Sequence, residues 1–247
     1  MTCGCRHVVV VRSSSFSRCD TNRLMIPMSG EQRDFNAAAA TWDENPARVK
    51  LAQDVFRAVT DSGLLRPGMD VLEAGCGTGL LTLLLQPCVH SITATDSSER
   101  MLGALNEKTR RGHYKNVKPL LVNLEGDKGI GGRYDLVVSS MTFHHIRDIP
   151  VLLGRIAAVL KPGGMLCTAD LDRDGGKFHD DRTGVFHNGF DRAVLRRMFE
   201  DAGFENVRNR TAAFMSKPDS RGNTQCFTIF LMTGRVPDHA GANRPGQ

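Results

Sequence analysis

Asp70-Val-Leu-Glu-Ala-Gly-Cys-Gly-Thr-Gly79 is the stretch that decides how this chain folds. Val71, Leu72 and Ala74 make a short apolar run of the kind buried as a central parallel strand. Gly75, Gly77 and Gly79 then alternate through a tight turn where backbone can come close to a ligand. Leu80-Leu-Thr-Leu-Leu-Leu85 opens the next helix, which puts that ligand at a strand end and a helix N-terminus. The spacing is G-x-G-x-G, distinct from the G-x-G-x-x-G of dinucleotide folds, and Glu73 stands just before the turn. Ile92-Thr-Ala-Thr-Asp96 reads as a second strand ending in an acid, at the distance where a ribose-binding carboxylate is expected.

Working outward, Val117–Val122, Tyr134–Ser140 and Met165–Ala169 read as strands three to five. Helices are expected after Asp96, capped by Asp96 or Ser97, and over Ile149–Leu160, stopped by Lys161-Pro-Gly-Gly164. A further helix runs from about Asp191 to Ala202, and Phe204–Arg210 and Gln225–Thr233 read as the last two strands. Upstream, Phe35, Ala39, Trp42, Val49, Ala52, Val55, Phe56 and Val59 recur at helical spacing.

With these motifs in this order, the chain resembles the class I S-adenosylmethionine-dependent methyltransferases from about Phe35 to Gly234. It is most similar to the small-molecule group that includes the quinone-biosynthesis C-methyltransferases. The fold implied is α/β: a Rossmann-like, mostly parallel seven-stranded sheet with helices on both faces and an N-terminal helical cap. The cofactor implied is S-adenosyl-L-methionine. Its methionine end would meet Glu73, Gly75, Cys76, Gly77 and Gly79, its ribose Asp96 and Ser97, and its adenine Met101, Asn123 and Leu124, with Ser139 close by. The family usually carries Asp where Asn123 stands, and the Asn carbonyl oxygen can still accept. Trp42 reads either as part of a cap over the cofactor or as a core anchor.

Methyl transfer from a sulfonium is an in-line displacement in which the enzyme mainly positions the nucleophile and excludes water. His144 and His145 follow the fourth strand, beside the expected methyl group, and with His187 are the candidate catalytic residues. The stretch Asp170–Phe190 interleaves Phe178, His179, Phe186, His187 and Phe190 and is expected to fold over the site as a lid. Its D-x-D-x-D-G opening mimics a calcium loop, but a strand leads in where an EF-hand needs a helix, so no metal is expected. Tyr114-x-x-x-Lys118 imitates a dehydrogenase pair away from the strand ends and carries no such chemistry.

The 247 residues suit one α/β domain, with 40% hydrophobic and 24% charged residues. The net charge of +5 includes Arg6, Arg12, Arg18 and Arg23 of an N-terminal leader whose only acid is Asp20. The remainder is closer to neutral, and no nucleic-acid partner is expected. Residues 1–28 read as a disordered leader, a mitochondrial transit peptide, or sequence upstream of a start at Met28. The methyltransferase domain is expected over 29–234 and a loose tail over 235–247. Seven scattered cysteines suggest reduced thiols and a cytoplasmic location, or a mitochondrial one if the leader is a transit peptide. The partner expected is a small-molecule methyl acceptor; the alternatives are a protein or RNA methyltransferase, or a cofactor-binding partner without turnover. No run is long enough to span a bilayer, and the oligomeric state is left open.

Overall fold

The structure, a computed structural model, describes residues 1, 33–126, 129–218 and 222–238. The leader up to Met28 beyond its first residue, and the tail from 239, lie outside the described residues.

Seven strands form one sheet: β1 (Asp70–Ala74), β2 (Ser91–Asp96), β3 (Val117–Leu121), β4 (Tyr134–Ser140), β5 (Leu160–Leu171), β6 (Glu205–Pro218) and β7 (Thr224–Arg235). Their order is β3-β2-β1-β4-β5-β7-β6. Strands β1 to β5 pair in parallel, and β7 runs antiparallel between β5 and β6. The order reverses between β1 and β4, where an open α/β sheet leaves a crevice at its carboxyl ends. The glycine turn leaves β1 at that point, so topology alone puts it at the mouth of a site.

Among the described residues there are six α-helices: α1 (Phe35–Ala38), α2 (Pro46–Asp61), α3 (Leu80–Leu85), α4 (Glu99–Arg111), α5 (Ile149–Val159) and α6 (Arg192–Asp201). The alternation of strand side chains sorts them into two layers. Val71, Leu136, Val138 and Leu231 pack with Leu51, Val55, Leu85 and Leu105, on the side of α2, α3 and α4. Leu72, Val137, Phe230 and Met232 pack with Leu152, Leu153, Leu195 and Phe199, on the side of α5 and α6. Both layers are fully buried, which explains why β1 and β4 read as continuous apolar runs.

Several boundaries differ from those expected. Helix α4 is capped by Ser98, whose hydroxyl accepts from the Met101 amide, because Asp96 is already committed to the glycine turn. Lys161-Pro-Gly-Gly164 is absorbed into β5: Leu160 already pairs with Tyr134, and the register then shifts before Met165 meets Leu136. Lys161 Nζ reaches Asp70 at 2.9 Å and Asp135 at 2.8 Å, tying β5 to the starts of β1 and β4. Strands β6 and β7 extend well past their expected ends as a long hairpin. Among the described residues no helix is long and apolar enough to cross a membrane.

Candidate active site

The glycine turn is held open from below. The Gly75 and Cys76 amides both donate to Thr95 O at 2.9 Å, and the Gly77 amide donates to Asp96 Oδ2 at 2.8 Å. Gly75 has φ +78°, and a Cβ there would collide with the Thr142 side chain. Only glycine meets both demands. Asp96 Oδ1 accepts from the Ser98 amide at 2.9 Å, so one carboxylate fixes the turn after β1 and the start of α4 together. Burial pushes Asp96 above the usual carboxylate range, against the backbone N–H groups of Ser98 and Gly77. Glu73 is buried, accepts from Thr82 Oγ1 at 2.6 Å, and is pushed up to about 8 by burial, with Asp96 adding to the shift. Cys76 is buried and burial raises its thiol further, so it is an inert wall.

Above this floor lies a cavity of about 500 Å³. Glu73, Gly75, Cys76, Gly77, Asp96, Ser97, Met101, Asn123 and Leu124 all border it. Two other residues expected at the cofactor do not. Gly79, at φ +85°, caps α3 and its Cα side faces Leu105. Ser139 is fully buried with its hydroxyl donating to Ala74 O at 2.9 Å, and Ser140, one residue on at the strand end, borders the cavity instead. Asn123 Oδ1 accepts from the Glu125 amide at 2.9 Å, which leaves one lone pair and the two amide hydrogens for a ligand.

The N-terminal segment roofs one side. Asn36 Oδ1 accepts from Ser98 Oγ at 2.8 Å, and Asp43 accepts from Thr78 Oγ1 at 2.5 Å, pinning the cap to α4 and to the glycine turn. Trp42 borders the cavity with the Arg48 guanidinium 3.8 Å above its ring and Phe35 edge-on at 6.1 Å. It is a wall of the site rather than a core anchor.

The loop after β5 roofs the other side. Phe178, His179, Asp180, Asp181 and Gly184 border the cavity. The other half of the loop anchors it. Phe190 is buried against Phe230, with ring centroids 6.3 Å apart, and Asp172 takes a paired contact from Arg192 and a hydrogen bond from Thr228 Oγ1. The acids of the D-x-D-x-D-G stretch go separate ways, Asp170 to His144, Asp172 to Arg192, Asp174 to the Gly176 and Phe178 amides. They share no centre. His187 is placed outside the cavity wall, its Nε2 2.8 Å from Ile146 O and its ring tilted on Phe190 at 5.1 Å. It braces the turn that carries the other two histidines.

That turn is a short 3-10 helix, Phe143–His145, reached through Met141, whose φ of +55° is rare for a side-chain-bearing residue. It presents His144 and His145 to the cavity, where His179 of the loop joins them. Ring centroids are 4.1 Å apart for His144 and His145, and 4.9 Å for His144 and His179. His144 Nδ1 lies 2.7 Å from Asp170 Oδ1, and His145 Nδ1 2.7 Å from Gly184 O. Burial first, then repulsion from His144, lowers His145 to about 3; the same causes lower His179 to about 3. Both are neutral imidazoles at neutral pH.

Sequence reading did not place Arg33, Arg48, Met215 or Lys217 at this site, although all border the cavity. Lys217 sits on β6 with its Nζ donating to Phe178 O at 2.6 Å, across the chain from anything near it in sequence. His179 was read as part of the lid, and only the fold brings it to His144.

Comparison with known proteins agrees with this geometry. A family model described as "Methyltransferase domain" matches residues 47–209, more than half of the chain. A Schizosaccharomyces pombe protein described as an uncharacterised methyltransferase is 31% identical over 157 residues, covering 58% of this chain and 55% of its own. A ubiquinone biosynthesis O-methyltransferase of Bradyrhizobium is 28% identical over 138 residues, covering 54% of each chain. The chain thus spans about half the length of these curated relatives. A crystal structure of a SAM-dependent methyltransferase from Aquifex aeolicus superposes with a TM-score of 0.60 at 20% identity, covering 81% of this chain and 98% of that one. The strand order, the G-x-G-x-G turn and the acid ending β2 therefore have a common explanation: the chain belongs to the methyltransferase domain family, whose class I fold is built around S-adenosyl-L-methionine.

Proposed function

We propose that this chain is an active methyltransferase that moves the methyl group of S-adenosyl-L-methionine to a small-molecule acceptor by in-line displacement. The observation that carries the reading is a single roofed cavity. The glycine turn and Asp96 lie at one end, the histidine trio lies under the lid, and about 500 Å³ lies between them, a usual size for a small-ligand site. An extended polymer would need an open groove, and this cavity is roofed by Trp42 on one side and by Phe178 and His179 on the other.

In this reading Asp96 accepts from the ribose hydroxyls while it holds the Gly77 amide. Glu73 meets the methionine end, and Ser97, Met101, Asn123 and Leu124 surround the adenine. The sulfonium needs no activation, so the protein's task is to hold the acceptor in line and keep water out. His144 and His145 contact the acceptor, and His187 positions them through Ile146. The ubiquinone biosynthesis relative is an O-methyltransferase, which favours an oxygen nucleophile over the carbon suggested by the sequence resemblance.

Release of S-adenosylhomocysteine, measured against a panel of quinols and phenols, thiols, amines and carboxylic acids, tests the proposal. Turnover on one of these classes is expected. No turnover on any of them, with turnover on a protein or RNA extract, would overturn the small-molecule reading. No turnover on either, with the cofactor bound, would leave a binding protein.

A further inference from the structure

Among the described residues, one ring nitrogen from each of His144, His145 and His179 lies within 4.8 Å of the others. For His144 and His145 the chemistry of the neighbours decides which nitrogen is free to ligate. An ionised carboxylate only accepts, so Asp170 requires a proton on His144 Nδ1, and only Nε2 can then offer a lone pair to a ligand. The Gly184 carbonyl imposes the same tautomer on His145. His144 is 1% exposed, and neither its Nε2 nor the Nε2 of His179 finds any partner within the protein, although both atoms are buried. An unsatisfied buried polar atom costs about 1–3 kcal/mol. Two on rings whose centroids lie 4.9 Å apart, from elements 35 residues apart in sequence, point to something that binds between them.

We propose that His144, His145 and His179 form a binding site for a divalent transition-metal ion such as Zn²⁺, with its fourth position open to the cavity for an anionic oxygen or sulfur of the acceptor. Converging imidazole lone pairs repel a carboxylate or carbonyl and attract a cation. For His144 and His145 the outer contacts are those of ligating histidines, the Nδ1–H held by a carboxylate in one and by a backbone carbonyl in the other. Zn–N bonds of about 2.0–2.1 Å set tetrahedral ligand nitrogens about 3.4 Å apart, so from separations within 4.8 Å the trio closes by at most about 1.4 Å on loading. His179, half-buried on the loop after β5, supplies that movement.

The consequence for catalysis rests on the methyl-transfer reading. A cation bound at the trio lowers the acceptor's own pKa. The acceptor loses its proton to solvent as its oxygen or sulfur binds the metal. A lone pair on that atom then forms the bond to the methyl carbon. The carbon–sulfur bond of the sulfonium breaks with its pair returning to sulfur, giving neutral S-adenosylhomocysteine. No electron enters or leaves.

The test is calorimetric titration of the metal-stripped full chain with ZnCl₂, alongside titration with S-adenosylmethionine. One zinc site per chain is expected, weakened at least 100-fold in His179→Ala and in His145→Ala and unchanged in His113→Ala, a surface control. Cofactor affinity should stay within about threefold in His179→Ala. Zinc bound no more tightly by wild type than by His179→Ala, with cofactor binding intact, would overturn the site and leave the methyl-transfer reading standing. A chain that binds zinc through the trio and does not bind the cofactor would keep the site and overturn that reading instead. Among acceptors, a spectral change in the Co²⁺-loaded chain on adding a thiol or a phenol distinguishes sulfur from oxygen.

Discussion

Glu73 offers a quantitative test of how the floor of the cavity is built. Burial, opposed by Thr82 and reinforced by Asp96, lifts its carboxyl from 4.5 to about 8. Between those values the folded chain keeps a proton that the unfolded chain has released. Folding is therefore favoured at the acid end of the window, and stability falls as pH rises through it. Each pH unit inside the window is worth about 1.4 kcal/mol, so going from pH 5 to pH 7.5 costs about 3 kcal/mol from this group alone. In Glu73→Gln the uncharged side chain still accepts from Thr82 and the penalty disappears. His145 and His179, lowered to about 3, work in the opposite sense, losing stability as pH falls below the ordinary histidine range. They are present in both proteins and cancel in the comparison. Urea unfolding at the two pH values, without cofactor, should show wild type losing about 3 kcal/mol more than Glu73→Gln, a midpoint difference on the order of 1 M. Parallel pH dependences, within about 1 kcal/mol, would mean that Glu73 is ionised in the folded chain and that this account of the floor is wrong.

Other outcomes follow from the same geometry. Gly75→Ala should lower stability by at least about 1–2 kcal/mol, since the residue sits at positive φ against Thr142, and a thermal melt checks it. Lys161→Met leaves Asp70 and Asp135 facing one another and should cost about 1 kcal/mol in chemical unfolding, a modest figure because all three groups are partly exposed. His179→Ala should reduce turnover at least tenfold, with cofactor affinity within a few-fold. His187→Ala, acting through Ile146 and Phe190 from outside the cavity wall, should reduce kcat less and leave KM for the cofactor unchanged; equal losses in the two variants would contradict this division of roles.

What could be read from sequence was what is local. Asp70–Gly79 carries its own strand, turn and helix start, and Asp96 stands at a fixed distance from it, so both were legible without knowing the fold. Single-residue placements were less so. Ser98 rather than Asp96 or Ser97 caps α4, because the Asp96 carboxylate is drawn from the end of β2 to the Gly77 amide in the turn after β1. Ser139 and Ser140 are exchanged for the same kind of reason, since a shift of one residue along a strand turns the side chain to the other face. His187 and His179 carry similar local signals, and only packing decides that one braces Ile146 while the other meets His144. Lys217 and Arg48 reach the cavity from β6 and α2, and no spacing in the chain announces that convergence.

The central claim is that Asp96 and the glycine turn hold S-adenosylmethionine, and titration calorimetry of wild type and Asp96→Ala tests it most directly. Micromolar binding to wild type is predicted, weakened at least 100-fold in the variant, or about 2.7 kcal/mol, in keeping with a carboxylate that accepts from two hydroxyls. The melting temperature of the variant should show that it remains folded. Unchanged affinity in a folded Asp96→Ala chain, or no binding to wild type, would contradict the account.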